Sequence, residues 1–142
     1  GRDGCRTPMP WDADAPNAGF STGKPWLPVP EDHARHAVDR QQKTSGSVLN
    51  HYRETLAFRR AHAALVDGDM HFVNSNRDIL AFSREKDGEK LLFVFNLTRE
   101  KVEFVPAKSL KLGEFVAVPG FGAKLEDGTI ELDALDMACV RV

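Results

Sequence analysis

The chain holds 142 residues, 42% of them hydrophobic and 28% charged, with 19 basic against 21 acidic side chains and a net charge of -2. Those values describe one globular domain, or a small domain with an appendage, and charges this evenly mixed exclude the basic stripe that neutralises phosphates. No apolar run approaches the roughly 20 residues that span a bilayer, so neither nucleic acid nor membrane is expected as a partner.

The first zone, residues 1 to about 43, reads as irregular. Arg2-Asp3-Gly4-Cys5-Arg6-Thr7-Pro8-Met9-Pro10-Trp11-Asp12 opens it, and Pro16-Asn17-Ala18-Gly19-Phe20 and Gly23-Lys24-Pro25-Trp26 follow. Proline removes a backbone donor and fixes φ, while glycine permits turns that other residues resist, so neither a long helix nor a central strand fits here. An irregular segment this rich in aromatic and charged groups reads as a functional loop. The chain starts directly on it without an initiator methionine, which leads to the expectation of a piece cut from a larger protein. An indole face suits the C–H surface of a sugar ring, but burial as anchors of the loop is the better account of Trp11 and Trp26. Asp12-x-Asp14 lacks the glycine and closing glutamate of a calcium loop, and His33 and His36 lack ligand spacing. Both histidines read as exposed loop residues, and no metal or cofactor is expected.

Ser47 to His62 reads as one amphipathic helix, with Val48, Leu49, Tyr52, Thr55, Leu56 and Arg59 recurring at three- and four-residue intervals. Ser45 or Ser47 can cap its start, and Arg59, Arg60 and His62 suit its negative end. From Val66 the pattern turns to β. Short apolar segments at 70–73, 79–84, 91–95, 102–105, 115–118, 129–132 and 137–142 make seven expected strands separated by Gly, Asp and Asn. Asp87-Gly88 signals a hairpin, and the continuous run Leu91–Phe95 predicts a central strand buried on both faces. The whole predicts an antiparallel sandwich or meander. Asn96-Leu97-Thr98 fits a glycosylation sequon but reads as a strand end. Cys5 and Cys139 read as free, reduced thiols, which favours a cytoplasmic location.

The order of these blocks resembles the C-terminal end of α-glucosidases of the α-amylase family (glycoside hydrolase family 13), such as oligo-1,6-glucosidases and sucrose isomerases. Their Arg-Asp-x-x-Arg-Thr-Pro-Met-x-Trp stretch reads here as Arg2 to Trp11. It is followed in the family's order by Asn17-Ala18-Gly19-Phe20, Gly23-Lys24-Pro25-Trp26 and Ser47-Val48-Leu49-Asn50-His51-Tyr52. The resemblance implies a mainly β chain: an antiparallel β-sandwich C-terminal domain, residues 67–142, preceded by the last loop and helix of a (β/α)8 barrel, residues 1–66. Loops at this end of barrel strands build the active site.

The resemblance further implies the C-terminal part of a retaining, exo-acting α-glucosidase that hydrolyses α-glucosidic bonds at non-reducing ends. The family's three catalytic carboxylates stand on earlier strands, so the chain alone is expected to be inactive, with no catalytic residue of its own. The expected partners are an α-glucoside oligosaccharide, reached through the intact barrel, and that upstream barrel itself. One arginine of the motif is expected to help bind substrate, since a guanidinium grips a carboxylate or two hydroxyls in fixed geometry. Arg2 ranks first and Arg6 second, with Asp3 orienting either; the motif leaves both arginines open. A sucrose isomerase or transglycosylase of the same family, and a non-catalytic β-sandwich binding module, stand as alternatives.

Overall fold

The computed structural model describes residues 2–142, which divide into two compact units, one up to Arg53 and one from Glu54. The first unit is held by backbone turns more than by apolar burial. After a 3-10 turn at Arg2–Cys5 the chain runs extended to a second turn at Pro16–Gly19, where Asn17, Ala18 and Gly19 all take left-handed φ values of 53°, 52° and 70°. Two L-residues in that region are costly, and the surroundings hold them. Ala18 is buried, its carbonyl accepts the N–H groups of both Trp11 (2.8 Å) and Asp12 (3.1 Å), and the Asn17 amide donates to the carbonyls of Ser21 and Gly23. A Cβ on Gly19 would come within 3.2 Å of the Asp12 backbone nitrogen, so glycine serves both its φ and its closeness.

Short helices α1 (Glu31–Ala34) and α2 (Val38–Gln42) follow, then α3 (Val48–Ala61). Of the two candidate caps, Ser47 takes the position: its hydroxyl accepts the Asn50 N–H at 3.2 Å and donates to the Gln41 carbonyl at 2.7 Å. The Asn50 amide donates to the carbonyls of Gln41, Gln42 and Thr44, tying the first turn of α3 to the end of α2. Val48, Tyr52 and Leu56 are exposed, and α3 buries no residue fully.

The helix does not end the helical segment as expected at His62. His62 breaks it with extended backbone (φ -120°, ψ 109°), and a further short helix, α4 (Ala63–Asp67), begins at once. Glu89 carries the reason. Its carboxylate accepts His62 Nδ1–H at 2.7 Å and the Ala64 N–H at 3.1 Å, so it both fixes the corner and caps α4. Arg59 closes the other end by donating to the Leu65 and Val66 carbonyls. Gly68 turns the chain into the first strand where the Ala64 and Glu85 carbonyls leave no room for a side chain.

From Asp69 onward the second unit is built of antiparallel strands, in agreement with the mainly β expectation. Strands β1 (Asp69–Phe72), β2 (Ile79–Lys86) and β3 (Glu89–Asn96) join β7 (Met137–Arg141) in one sheet, in the order β1-β2-β3-β7. A second sheet orders β4 (Val102–Phe104), β6 (Thr129–Leu132) and β5 (Lys124–Glu126) as β4-β6-β5. Period-2 alternation splits the core. Ala81, Leu92, Val94 and Val140 join Phe104, Ile130 and Leu132 of the other sheet in one cluster. Leu91, Phe93 and Cys139, pointing the opposite way, pack with Leu65 of α4. Strand β3 is thus buried on both faces, as its apolar run predicts. On the α4 side Phe82, Phe93 and Phe95 stack nearly parallel, with centroids 5.6 to 6.3 Å apart.

Seven strands form among the described residues, but not the expected seven. Residues 115–118 are not a strand: Phe115 makes an isolated bridge to Val140, and Pro119-Gly120 follow at once. Lys124–Glu126 takes the place, paired to β6 through the Asp127-Gly128 turn with both residues at positive φ. The Asp87-Gly88 hairpin forms as read, with φ 50° and 83°. Asn96 closes β3 and is buried. Its amide donates to the Glu100 (2.6 Å) and Asp133 (2.8 Å) carbonyls, and its Oδ1 accepts both the N–H and the hydroxyl of Thr98. Cys5 and Cys139 are free thiols; burial pushes Cys139 up to about 12, so it stays protonated. Among the described residues no helix is long and apolar enough to cross a membrane.

Candidate functional site

The first unit carries the residues that the opening motif singles out. Arg2 and Asp3 sit on the 3-10 turn and Arg6 just after it, all exposed. The turn is closed by the Arg6 N–H on the Asp3 carbonyl at 3.1 Å and by the Cys5 thiol donating to the Arg2 carbonyl at 2.9 Å. Asp3 therefore meets Arg6 through its backbone, and among the described residues its carboxylate pairs with neither arginine. The two guanidinium groups part company. That of Arg6 lies over the Trp26 ring, 5.0 Å from its centroid, a cation–π contact. That of Arg2 is exposed and has no hydrogen-bond or ion-pair partner among the described residues.

The rest of the loop is built from short polar ties. Asp12 Oδ1 accepts the Asp14 N–H and Asp39 Oδ1 accepts the Ala13 N–H, both at 3.0 Å, while Arg40 pairs with Asp14 at 3.0 Å. Thr7 and His33 Nδ1 meet at 3.2 Å, which makes His33 a half-buried helix residue instead of an exposed loop one; His36 is exposed. The Asp12 and Asp14 carboxylates are thus taken up by a turn and an ion pair, and among the described residues no three His, Cys, Asp or Glu side chains converge.

Both tryptophans depart from their expected burial. Trp11 is 52% and Trp26 79% exposed. The loop is anchored by the Ala18 carbonyl and the Asn17 amide, which leaves the indoles unneeded for that task. The Asn-Ala-Gly run, read only as part of a motif, is the structural pivot; its asparagine and, two residues on, its glycine were the sequence signal for left-handed backbone. In the second unit, Glu89 is the charged group that the sequence did not reveal. The His62 hydrogen bond first, then the Ala64 N–H and the Arg141 guanidinium at 3.7 Å, hold its carboxyl below the ordinary glutamate range against the opposing effect of burial.

The geometry has counterparts among known proteins. The family model described as "Alpha amylase, catalytic domain" matches residues 1–68. A probable alpha-glucosidase of Rhizobium meliloti is 41% identical over 135 residues, covering 94% of this chain and 24% of that protein. An oligo-1,6-glucosidase of Halalkalibacterium halodurans is 33% identical over 115 residues, 80% of this chain and 20% of that protein. Among solved structures, an alpha-glucosyl transfer enzyme superposes with a TM-score of 0.86 at 39% identity, over 99% of this chain and 26% of its own. The trehalulose synthase of Pseudomonas mesoacidophila superposes with a TM-score of 0.79 at 31% identity, again over 99% and 26%. The chain spans about a quarter of the length of these relatives.

Proposed function

Because the chain belongs to the α-amylase family of glycoside hydrolases, we propose that it is the C-terminal portion of a retaining, exo-acting α-glucosidase. The observation that carries this reading is the 41% identity to a probable alpha-glucosidase across nearly the whole chain. Residues 1–66 are then the last loop and helix of the catalytic barrel, a division supported by the family model ending at residue 68. Residues 67–142 are an appended β-sandwich, supported by two antiparallel sheets that share one apolar cluster.

In this reading the chain does not break the glycosidic bond. A retaining mechanism needs two carboxyl groups about 5 Å apart, one as nucleophile and one as acid and then base. The resemblance assigns those groups to earlier barrel strands. The opening turn supplies recognition: Arg2, always charged and unpartnered among the described residues, grips an acid of the barrel or a pair of sugar hydroxyls at the non-reducing end. Arg6, engaged with Trp26, ranks behind it, and Asp3 shapes the turn through its carbonyl. Two free thiols support a reducing compartment, the cytoplasm.

Assays of the full-length protein bearing this chain test the proposal. Release of p-nitrophenol from p-nitrophenyl α-glucoside is expected, with none from the 142-residue chain alone. Absence of turnover by a full-length protein with intact carboxylates overturns it. The resemblance to a trehalulose synthase and a glucosyl transfer enzyme favours a second reading, isomerisation or glucosyl transfer. Sucrose as substrate separates the two, since a hydrolase yields glucose and fructose and an isomerase yields a rearranged disaccharide.

A further inference from the structure

Two buried side-chain polar atoms lack a hydrogen-bond partner among the described residues, Thr55 Oγ1 and Arg84 Nε. The threonine is the lesser case, since its hydroxyl can rotate toward a carbonyl one helical turn back. A guanidinium has no such recourse. It stays charged, and an N–H of it shut away from water without an acceptor is costly. Arg84 lies within β2, opposite Met70 of β1 and Leu91 of β3, so all three project from the sheet face that carries α4. The carboxylates on that side are taken. Asp67 of α4 pairs with Lys86, and Glu89 of β3 holds His62, the Ala64 N–H and Arg141. Glu85 alternates to the other face and pairs with Lys90 at 2.8 Å. These pairings leave Arg84 without an acid of its own among the described residues.

The surroundings of Arg84 are unfinished in a second way. Leu65 and Phe58 pack against Leu91 and Phe93, but Met70, Phe72 and Leu80, on the same face by alternation, are exposed. Their exposure reflects a chain that spans about a quarter of its relatives' length. The orphaned Nε specifies what the covering surface brings. Nε–H and one Nη–H form a fork that matches two oxygens, and a cation closed off from water needs a counter-charge, so the missing group is a carboxylate. An arginine set among Met, Phe and Leu is also the composition of an interface centre. We infer that Arg84 anchors the β unit to the preceding part of the same polypeptide, taking up a carboxylate of that part within the apolar band of Met70, Phe72 and Leu80. That the covering part is a catalytic barrel upstream rests on the glycosidase reading above; the need of Arg84 for an acceptor from beyond the described residues does not.

The guanidinium itself reports the contact. Phenylglyoxal condenses with accessible arginines, and peptide mass spectrometry follows Arg84, each rate being set against that of the denatured protein. The full-length protein bearing this chain is expected to protect Arg84 about tenfold or more beyond the 142-residue chain, at every protein concentration. Equal modification in the two overturns the inference. So does protection that disappears on dilution, which would assign the face to a second copy. Substitution supplies the sign. In the 142-residue chain Arg84→Met removes an unsatisfied N–H, and the melting temperature stays level or rises. In the full-length protein the same change strands a carboxylate, and the melting temperature falls by about 3 °C or more, with Arg84→Lys in between. A fall in both proteins, or in neither, overturns the anchor, and the labelling of the unaltered proteins decides where the variant fails to fold. Protection of Arg84 without turnover of p-nitrophenyl α-glucoside would sink the glycosidase reading and leave the anchor standing; turnover with Arg84 unprotected would do the reverse.

Discussion

At the scale of single residues, two charged groups illustrate opposite situations. Arg2 is exposed and unpartnered among the described residues, so under the proposed function its replacement acts on activity and leaves the stability of the chain unchanged. In the full-length protein Arg2→Ala should lower kcat/KM for p-nitrophenyl α-glucoside by about 100-fold with an unchanged melting temperature, and Arg6→Ala should cost about tenfold or less. Glu89 is the reverse case, partly buried and bonded to His62 and Ala64. Its folded-state pKa is depressed, so its stabilisation is present above the unfolded value, near 4.5, and is lost as pH falls through the folded value. Glu89→Gln should therefore destabilise the chain by about 1–3 kcal/mol at pH 7. The difference from the unaltered chain should shrink below about pH 4.5, as denaturation followed across that range would reveal.

Between secondary-structure elements, the corner from α4 into β1 leaves no room for a side chain at its glycine. A side chain at Gly68 would lie 2.5 Å from the Ala64 carbonyl oxygen and 2.7 Å from that of Glu85. Both are backbone atoms that cannot swing away, so Gly68→Ala should cost about 2–4 kcal/mol by denaturant unfolding. Gly88→Ala meets no atom within 4 Å and has only its φ of 83° to strain, so about 1 kcal/mol is expected there. The same contrast between local and distant causes decides what the sequence disclosed. Strand β3 was legible because five consecutive apolar residues have few other uses, and the Asp87-Gly88 turn because its chemistry is local. Residues 115–118 looked like a strand for their apolar content, yet they contribute packing and one bridge, with Pro119-Gly120 ending any ladder. Lys124–Glu126 was invisible because two charges flank its single apolar residue, and only the neighbouring Asp127-Gly128 turn marks it. In the candidate site the arginines were legible as a motif. The contact of Arg6 with Trp26 was not, because twenty residues separate them and no periodicity links the two.

Across the whole molecule, burial is unevenly shared. The largest fully buried side chains, Leu91, Leu92, Ile130 and Leu132 among them, all belong to the second unit. Among the described residues of the first unit, the buried apolar side chains are the small ones of Pro8, Ala18 and Ala37. Hydrogen exchange of the 142-residue chain should therefore be markedly faster over residues 2–53 than over Leu91–Phe95. Equal protection would mean that turns and caps alone hold the first unit. The Asn96 amide has a further consequence, which concerns how the protein can be made. Both of its hydrogens are engaged by carbonyls in a buried corner, while Asn96-Leu97-Thr98 remains a readable acceptor sequence for oligosaccharyl transfer. A eukaryotic host that secretes this chain would offer the segment to that machinery before the strand has closed. Each molecule so modified would carry a glycan where the fold has no room for one, dividing the product into a native and a misfolded population. Production without glycosylation, or a Thr98→Val chain in a glycosylating host, avoids that division.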